Sequence, residues 1–239
     1  MSDTVKFTID GVEVEAKKGE TILQAADRAG IYIPRLCAHP ELVPFGSCRV
    51  CTVLVNGRPQ SSCTQPAAEG IIVENDTPKL KKIRRDIIEM LFVEGNHFCP
   101  YCEKSGNCEL QAIAYRLGMD APHFPYMFPK REMDCSHDDL YLDHNRCILC
   151  GRCVRAARDL DGKTELDFEN RGIRRKITVQ VGEKLAASTL KRNDHAAEIC
   201  PVGALVKKEV GYATPVGQRK YDKEPIGSEI EKKRQTVEG

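Results

Sequence analysis

Period-two alternation of apolar and polar positions opens the chain. Val5-Lys6-Phe7-Thr8-Ile9 and Val12-Glu13-Val14-Glu15-Ala16 each alternate, and Asp10-Gly11 between them suits the twist of a tight two-residue hairpin. The period then lengthens. Ile22, Leu23, Ala25, Ala26 and Ala29 share one side of a helix, with Thr21 as N-cap, Gln24 three residues on as its capping-box partner, and Gly30 as the stop. Val50 to Val55 predicts a strand, Asn56-Gly57 a turn, and Ile71-Ile72-Val73 a last short strand. Hairpin, helix, cysteine-bearing loop and further strands predict a small β-grasp-like unit over residues 1–76.

Thr77-Pro78 is a helix start, Thr as N-cap and Pro in the first turn. Leu80, Ile83, Ile87 and Leu91 follow at helical spacing. Lys79, Lys81, Lys82, Arg84 and Arg85 cover the other faces, as a solvated basic surface or, alternatively, a docking surface for an acidic partner. A cysteine loop comes next, then a second helix through Leu110, Ile113, Ala114 and Leu117, ended by Gly118. Ala121 to Pro129, with its three prolines, reads as a linker over the surface. A small helical unit over 77–133 is therefore expected, then a third unit over 134–212. The polar residues 213–239 predict an extended tail that lies against a partner or stays mobile. The fold class is α+β.

Charge narrows the function classes. In 239 residues, 36 basic and 35 acidic side chains leave a net charge of +1, so no global field draws nucleic acid or an anionic membrane. No apolar run approaches the roughly 18 residues of a membrane span, and the start lacks a signal-peptide core. The expectation is a cytoplasmic protein without a membrane span. In a reducing compartment, 12 cysteines at CxxC-type spacings point to metal sites rather than disulfides.

The cysteines fall into three groups. Cys37, Cys48, Cys51 and Cys63, spaced C-x10-C-x2-C-x11-C, supply the four thiolates of a [2Fe–2S] cluster, with a longer first loop than the plant-type spacing. Cys99, Cys102 and Cys108 leave a [4Fe–4S] cube or a zinc ion one ligand short, and His97 is the histidine at hand. Replacing a thiolate by a neutral imidazole makes such a site less negative and tends to raise its potential. Cys147, Cys150 and Cys153, with the distant Cys200-Pro201, form the ferredoxin-type [4Fe–4S] arrangement. Arg146, Arg152, Arg155 and Arg158 lie close by in sequence, either favouring a reduced cluster or simply solvated. Cys135 has no partner spacing and reads as a buried or incidental thiol. The remaining thiols plus one histidine make up three four-ligand sets.

Taken in order, the four-Cys domain, HFCPYCEKSGNCELQ, and RCILCGRCVRA with the distant ICPVGAL resemble the amino-terminal part of the large iron–sulfur subunit of respiratory complex I. They resemble still more closely the small diaphorase subunit of NAD-reducing, bidirectional [NiFe]-hydrogenases. The same module also starts many iron-only hydrogenases. The match covers residues 4 to 215, and GYATPVGQRKYD is similar to the diaphorase subunit's tail. That the chain stops soon after Cys200 favours the free-standing hydrogenase subunit. One departure is visible: many relatives carry the histidine four residues ahead of the first cysteine, where Gly95 stands here.

The resemblance implies a relay holding one [2Fe–2S] and two [4Fe–4S] clusters, and carrying electrons between a flavin- and NAD(H)-binding diaphorase subunit and the small and large [NiFe]-hydrogenase subunits. No GxGxxG after a strand and no P-loop are present, so neither NAD nor flavin is expected to bind here, and no catalytic residue is expected. Two alternatives stand beside this reading: an electron-input subunit of another NAD-linked complex, such as a formate dehydrogenase, and a zinc-stabilised binding module.

Overall fold

The computed structural model describes residues 4–235 except residue 181. The first three residues of the expected β-grasp unit and the last four of the expected tail lie outside the described residues. Alternation in the opening segments becomes a hairpin of β1 (Thr4–Ile9) and β2 (Val12–Lys17). Asp10 and Gly11 take φ of 49° and 80°, as the turn requires. Phe7, Ile9, Val14 and Ala16 are buried and pack with Ile22, Leu23, Ala25 and Ala26 of α1 (Ile22–Arg28), whose Thr21–Gln24 capping box is formed. β3 (Thr52–Val55), β4 (Arg58–Ser61) and β5 (Ile72–Glu74) complete a five-stranded sheet ordered β2-β1-β5-β3-β4. β5 runs parallel to β1 and the other pairs are antiparallel, the β-grasp arrangement.

α2 (Pro78–Glu94) is capped by Thr77, whose hydroxyl accepts the Leu80 N–H at 3.2 Å. Its buried stripe differs from the expected one. Leu80, Arg84, Ile88 and Phe92 face inward at i, i+4 steps, whereas Ile83, Ile87 and Leu91 are only half-buried. Arg84 is drawn in because its guanidinium donates to the Thr52 and Asn75 carbonyls and to Asn75 Oδ1, at 2.7–2.9 Å, tying the helix to the β-grasp sheet. Lys81, Lys82 and Arg85 pair with Asp76, Asp86 and Glu89. The basic run is therefore largely neutralised on its own surface.

α3 (Glu109–Arg116) follows the second cysteine group. Beyond it come β6 (Met133–Asp134), β7 (Leu140–Asp143), α4 (Arg152–Asp159), β8 (Leu166–Glu169), β9 (Lys176–Val179), α5 (His195–Glu198), β10 (Leu205–Lys207) and α6 (Ser228–Gln235). β10, β7 and β6 form a small antiparallel sheet, and β8–β9 a hairpin. One core joins Ile88 and Phe92 of α2, Leu110 and Ile113 of α3, Leu140 and Leu142 of β7, Ala156 of α4 and Ile226 of the tail. No helix among the described residues is long and apolar enough to cross a membrane.

Residues 213–235, expected as an extended tail, fold back on this chain. Tyr221 N–H donates to Gly106 O at 2.9 Å, Lys220 N–H to Asn107 Oδ1 at 2.9 Å, and Arg116 pairs with Glu231 of α6. Gly227 packs so tightly on the Tyr32 ring that a Cβ there has no room. Backbone hydrogen bonds, the Arg116–Glu231 pair and the packing of Tyr221, Ile226 and Ile230 on the core fasten the polar tail between the second cysteine loop and the β-grasp unit.

Glu89 holds the proline-rich linker. Its buried carboxylate accepts from the His123 N–H at 2.9 Å and from Arg85 Nε at 3.0 Å, with the His123 ring also at 3.0 Å. Burial by itself raises the carboxyl's pKa, but these bonds and the His123 charge outweigh it and the net shift is downward. The contribution to stability is complete above the ordinary glutamate range and fades as pH falls through the lowered value. Glu89→Gln at neutral pH should cost about 1–3 kcal/mol and speed proteolysis within 121–129. An unchanged cleavage rate there would show that the linker is held by something else.

Candidate metal centres

The first group is built on the loops that edge the β-grasp sheet. Cys37 follows α1, Cys48 and Cys51 precede β3, and Cys63 follows β4. Arg49, between the middle pair, adopts φ 61°, and Gly46 nearby adopts φ 70°. This left-handed winding turns backbone N–H groups toward sulfur: Cys37 N–H donates to Cys48 Sγ at 3.4 Å, and Ser47 and Cys48 donate to the Cys37 sulfur. The thiols also bond one another, Cys37 with Cys48 and Cys63, and Cys63 with Cys51. Accepting those bonds draws the Cys37 and Cys51 pKa values down, while the donors Cys48 and Cys63 are pushed up. Four sulfurs thus share one buried site.

The second group surrounds a small cavity lined by His97, Cys99, Cys102 and Cys108, with Phe92, Arg146 and Gly203 around them. Cys99 sits in a short 3-10 turn, and Cys108 is the N-cap residue of α3. The His97 ring packs edge-on to Phe92 at 5.2 Å and is hydrogen-bonded to the Leu91 backbone, while its buried Nε2 has no hydrogen-bond partner. A metal-ligating imidazole is oriented in this way, one nitrogen bonded to the backbone and the other left for the metal. Burial, then the charges of Arg131 and Arg146, lower its pKa to about 4, so the ring is neutral at physiological pH.

Gly95 makes room for the His97 ring. A Cβ at residue 95 would lie 2.7 Å from His97 Nε2 and 2.8 Å from Cδ2. The ring of residue 97 and the Asn145 carbonyl oxygen, also 2.7 Å from such a Cβ, occupy the space beside position 95, and only glycine leaves room for both. Gly203 plays the same part for sulfur, since a Cβ there would lie 2.8 Å from Cys102 Sγ.

The third group winds through positive φ at Leu149 (52°) and Gly151 (67°) into α4, which carries Cys153. Cys200 follows α5, and Pro201 O accepts the Glu109 N–H at 2.8 Å. Cys150 and Cys153 each have Cys147 and Cys200 as electrostatic neighbours, placing all four in one neighbourhood. Burial pushes Cys147, Cys150 and, in the second group, Cys108 up to about 12. Such thiols stay protonated and inert unless a metal ion supplies the charge that ionises them. Among the described residues no three His, Cys, Asp or Glu side chains converge as around a single metal ion; a cluster instead spreads its ligands over separate irons. Cys135 is exposed rather than buried and belongs to none of the sets.

Two arginines bind the sets together. Arg152 (2% exposed) donates to both Glu109 oxygens at 2.8 Å and to Ala38 O at 2.9 Å. Arg155 donates to Val43 O at 2.6 Å and Cys37 O at 2.5 Å. Neither is an ordinary solvated arginine; Arg158, which is exposed and pairs with Asp159, is one. Arg146 reaches Glu103 at 2.6 Å and Asp143 at 3.0 Å, linking the second group's loop to the third unit. Glu109 escapes a search for ligands because its partner is an arginine; its only sequence signal is an acidic residue in the first turn of α3, beside Cys108.

Three family descriptions match along the chain: a 2Fe-2S iron–sulfur cluster binding domain over residues 2–78, the NADH-ubiquinone oxidoreductase-G iron–sulfur binding region over 84–123, and the ferredoxin-like domain of NADH-quinone oxidoreductase subunit 3 over 139–206. Fold and motifs together thus define a multi-domain iron–sulfur protein. The G-type subunit of the Rickettsia prowazekii NADH-quinone oxidoreductase is 34% identical over 216 residues, and the mitochondrial iron–sulfur protein 1 of Solanum tuberosum NADH dehydrogenase 38% over 213. The chain spans 31% and 28% of those two proteins. The gamma subunit of the NAD-reducing hydrogenase HoxS of Cupriavidus necator is 40% identical over 220 residues, covering 92% of this chain and 94% of that one. A chain in the crystal structure of an NAD+-reducing [NiFe]-hydrogenase in the H2-reduced state superposes with a TM-score of 0.91 at 48% identity, over 96% of this chain and 98% of that chain. The protein belongs to the family of small iron–sulfur electron-transfer subunits of NAD-reducing [NiFe]-hydrogenases, the gamma or diaphorase type.

Gly95→Ala tests the second group locally. The added methyl crowds the His97 ring as well as the Asn145 carbonyl, and iron per chain should fall by about four atoms with the other groups filled. Full iron content in the alanine variant would remove His97 from the ligand set.

Proposed function

We propose that the chain is the iron–sulfur relay of an NAD-reducing [NiFe]-hydrogenase, carrying electrons reversibly between a flavin- and NAD(H)-binding diaphorase subunit and the hydrogenase small and large subunits. Cys37, Cys48, Cys51 and Cys63 hold a [2Fe–2S] cluster. His97, Cys99, Cys102 and Cys108 hold one [4Fe–4S] cluster, and Cys147, Cys150, Cys153 and Cys200 the other. The corresponding units are 1–76, 77–133 and 134–212, followed by the tail 213–239. Bound at these sites, the clusters supply one-electron acceptor and donor groups. Acting with NAD(H), the chain works in the cytoplasm.

The observation that carries this reading is that three ligand sets lie in direct contact within one chain. The first set's loop touches the third through Arg152 and Arg155, and the third's Cys200-Pro201-Val202-Gly203 run touches the second at Glu109 and Cys102. On this reading the third set lies between the first and the second, an order that differs from their order in sequence. The chain's own residues bury the sulfurs, aim N–H groups at them and keep His97 neutral; none is positioned to make or break substrate bonds.

Anaerobic purification with bound partners, followed by iron, sulfide, zinc, nickel and flavin analysis, tests the proposal. It should give about ten irons and as many sulfides per copy of this chain, with nickel and flavin in the associated subunits. Iron and flavin without nickel would assign the chain to another NAD-linked complex. Stoichiometric zinc without sulfide would overturn the relay.

A further inference from the structure

Arg155 is a charge without a carboxylate. It is 5% exposed, and its hydrogen bonds go to three backbone carbonyls: Gly151 O at 3.2 Å, Val43 O at 2.6 Å and Cys37 O at 2.5 Å. The guanidinium also lies over the Phe45 ring, 5.1 Å from its centre. None of its ion pairs or hydrogen bonds among the described residues reaches Asp or Glu. Asp159 exerts a weak pull from a distance but is itself paired to Arg158 at 2.6 Å. Arg152, by contrast, has its own carboxylate in Glu109.

A buried guanidinium with no counter-charge is costly, and arginine does not relieve that cost by losing its proton. Its carbonyl partners belong to both ligand loops: Cys37 itself, in the first set, and Gly151, between Cys150 and Cys153 of the third. Four thiolates leave a ferredoxin-type cluster net negative, and one-electron reduction adds to that charge. A fixed cation nearby then stabilises the reduced state more than the oxidised one, with little screening in the interior.

We propose that Arg155 is a positioning residue shared by the first and third sets: its hydrogen bonds hold the Cys37 loop against α4, and its charge raises the midpoint potentials of both clusters together. The arginine that lines the cavity of the second set is Arg146, not Arg155. The inference rests on the cluster assignment above.

The test is an EPR-monitored redox titration of the anaerobic complex carrying Arg155→Gln and Arg155→Lys. Iron and sulfide analysis of the unsubstituted complex comes first, so that a failed cluster assignment is recognised separately. In R155Q the [2Fe–2S] and the Cys147–Cys200 cluster signals should both titrate at more negative potential, with the His97 cluster signal unmoved. R155K keeps the charge but loses the forked contacts, and should hold both potentials near their original values. If R155Q loses iron, R155K alone decides, because a shift of both signals in R155K overturns the charge-sharing role. Unmoved potentials in an iron-replete R155Q overturn it equally, as does a shift confined to one cluster.

Discussion

The arrangement of this chain depends on the buried ion pair between Arg152 and Glu109. Removing a guanidinium from water is costly, and the cost is met only where a carboxylate and carbonyls enclose it. Burial lowers the Arg152 pKa; the charge and hydrogen bonds of Glu109, helped by the nearby thiols, more than reverse this. Because Arg152 stands between Cys150 and Cys153 and Glu109 adjoins Cys108, satisfying the pair brings the third ligand set against the second. The remaining bond, to Ala38 O, brings in the first. One electrostatic requirement thus places loops that lie more than a hundred residues apart in the chain, Ala38 and Arg152 being 114 apart.

Close approach of backbone completes what the ion pair begins. Gly203 lets the loop after Cys200 lie on the Cys102 sulfur, and Gly151 sits between Phe45 of the first loop and Phe168 of β8. Phe45 and Phe168 stack with centroids 6.3 Å apart, and Arg155 and Arg175 lie over their faces. These contacts are local and short-range, so small displacements are resisted by packing rather than by charge. The tail adds a clamp on the far side, joining the second loop to Tyr32 of the β-grasp unit through Tyr221, Gly227 and Glu231. A compact relay needs such rigidity because its ligand sets must keep both their internal shape and their mutual spacing.

Much of this was legible in the sequence where the signal is local. The Asp10-Gly11 turn, the Thr21–Gln24 capping box, the Thr77-Pro78 helix start and the cysteine spacings each express chemistry contained within a few residues. What was not legible depends on distant partners. Arg84 reads as a solvated base until Thr52 and Asn75, from the β-grasp unit, supply the carbonyls that draw it inward. The polar tail shows no apolar periodicity, yet the burial of Ile226 in the core and hydrogen bonds to Gly106 and Asn107 hold it in place. Gly95 reads as a missing ligand in the sequence and as the space for His97 in the structure. Glu109 has no motif at all, since its importance comes from an arginine 43 positions away.

The central claim is that three ligand sets are held in contact in the spatial order first, third, second. Anomalous diffraction at the iron absorption edge, from anaerobic crystals of the complex, measures that order directly. The account predicts three iron sites in this chain, with the one at Cys147, Cys150, Cys153 and Cys200 lying between those at the β-grasp loops and at His97. An iron site at His97 adjoining the β-grasp site, or no iron within one of the three sets, would contradict it.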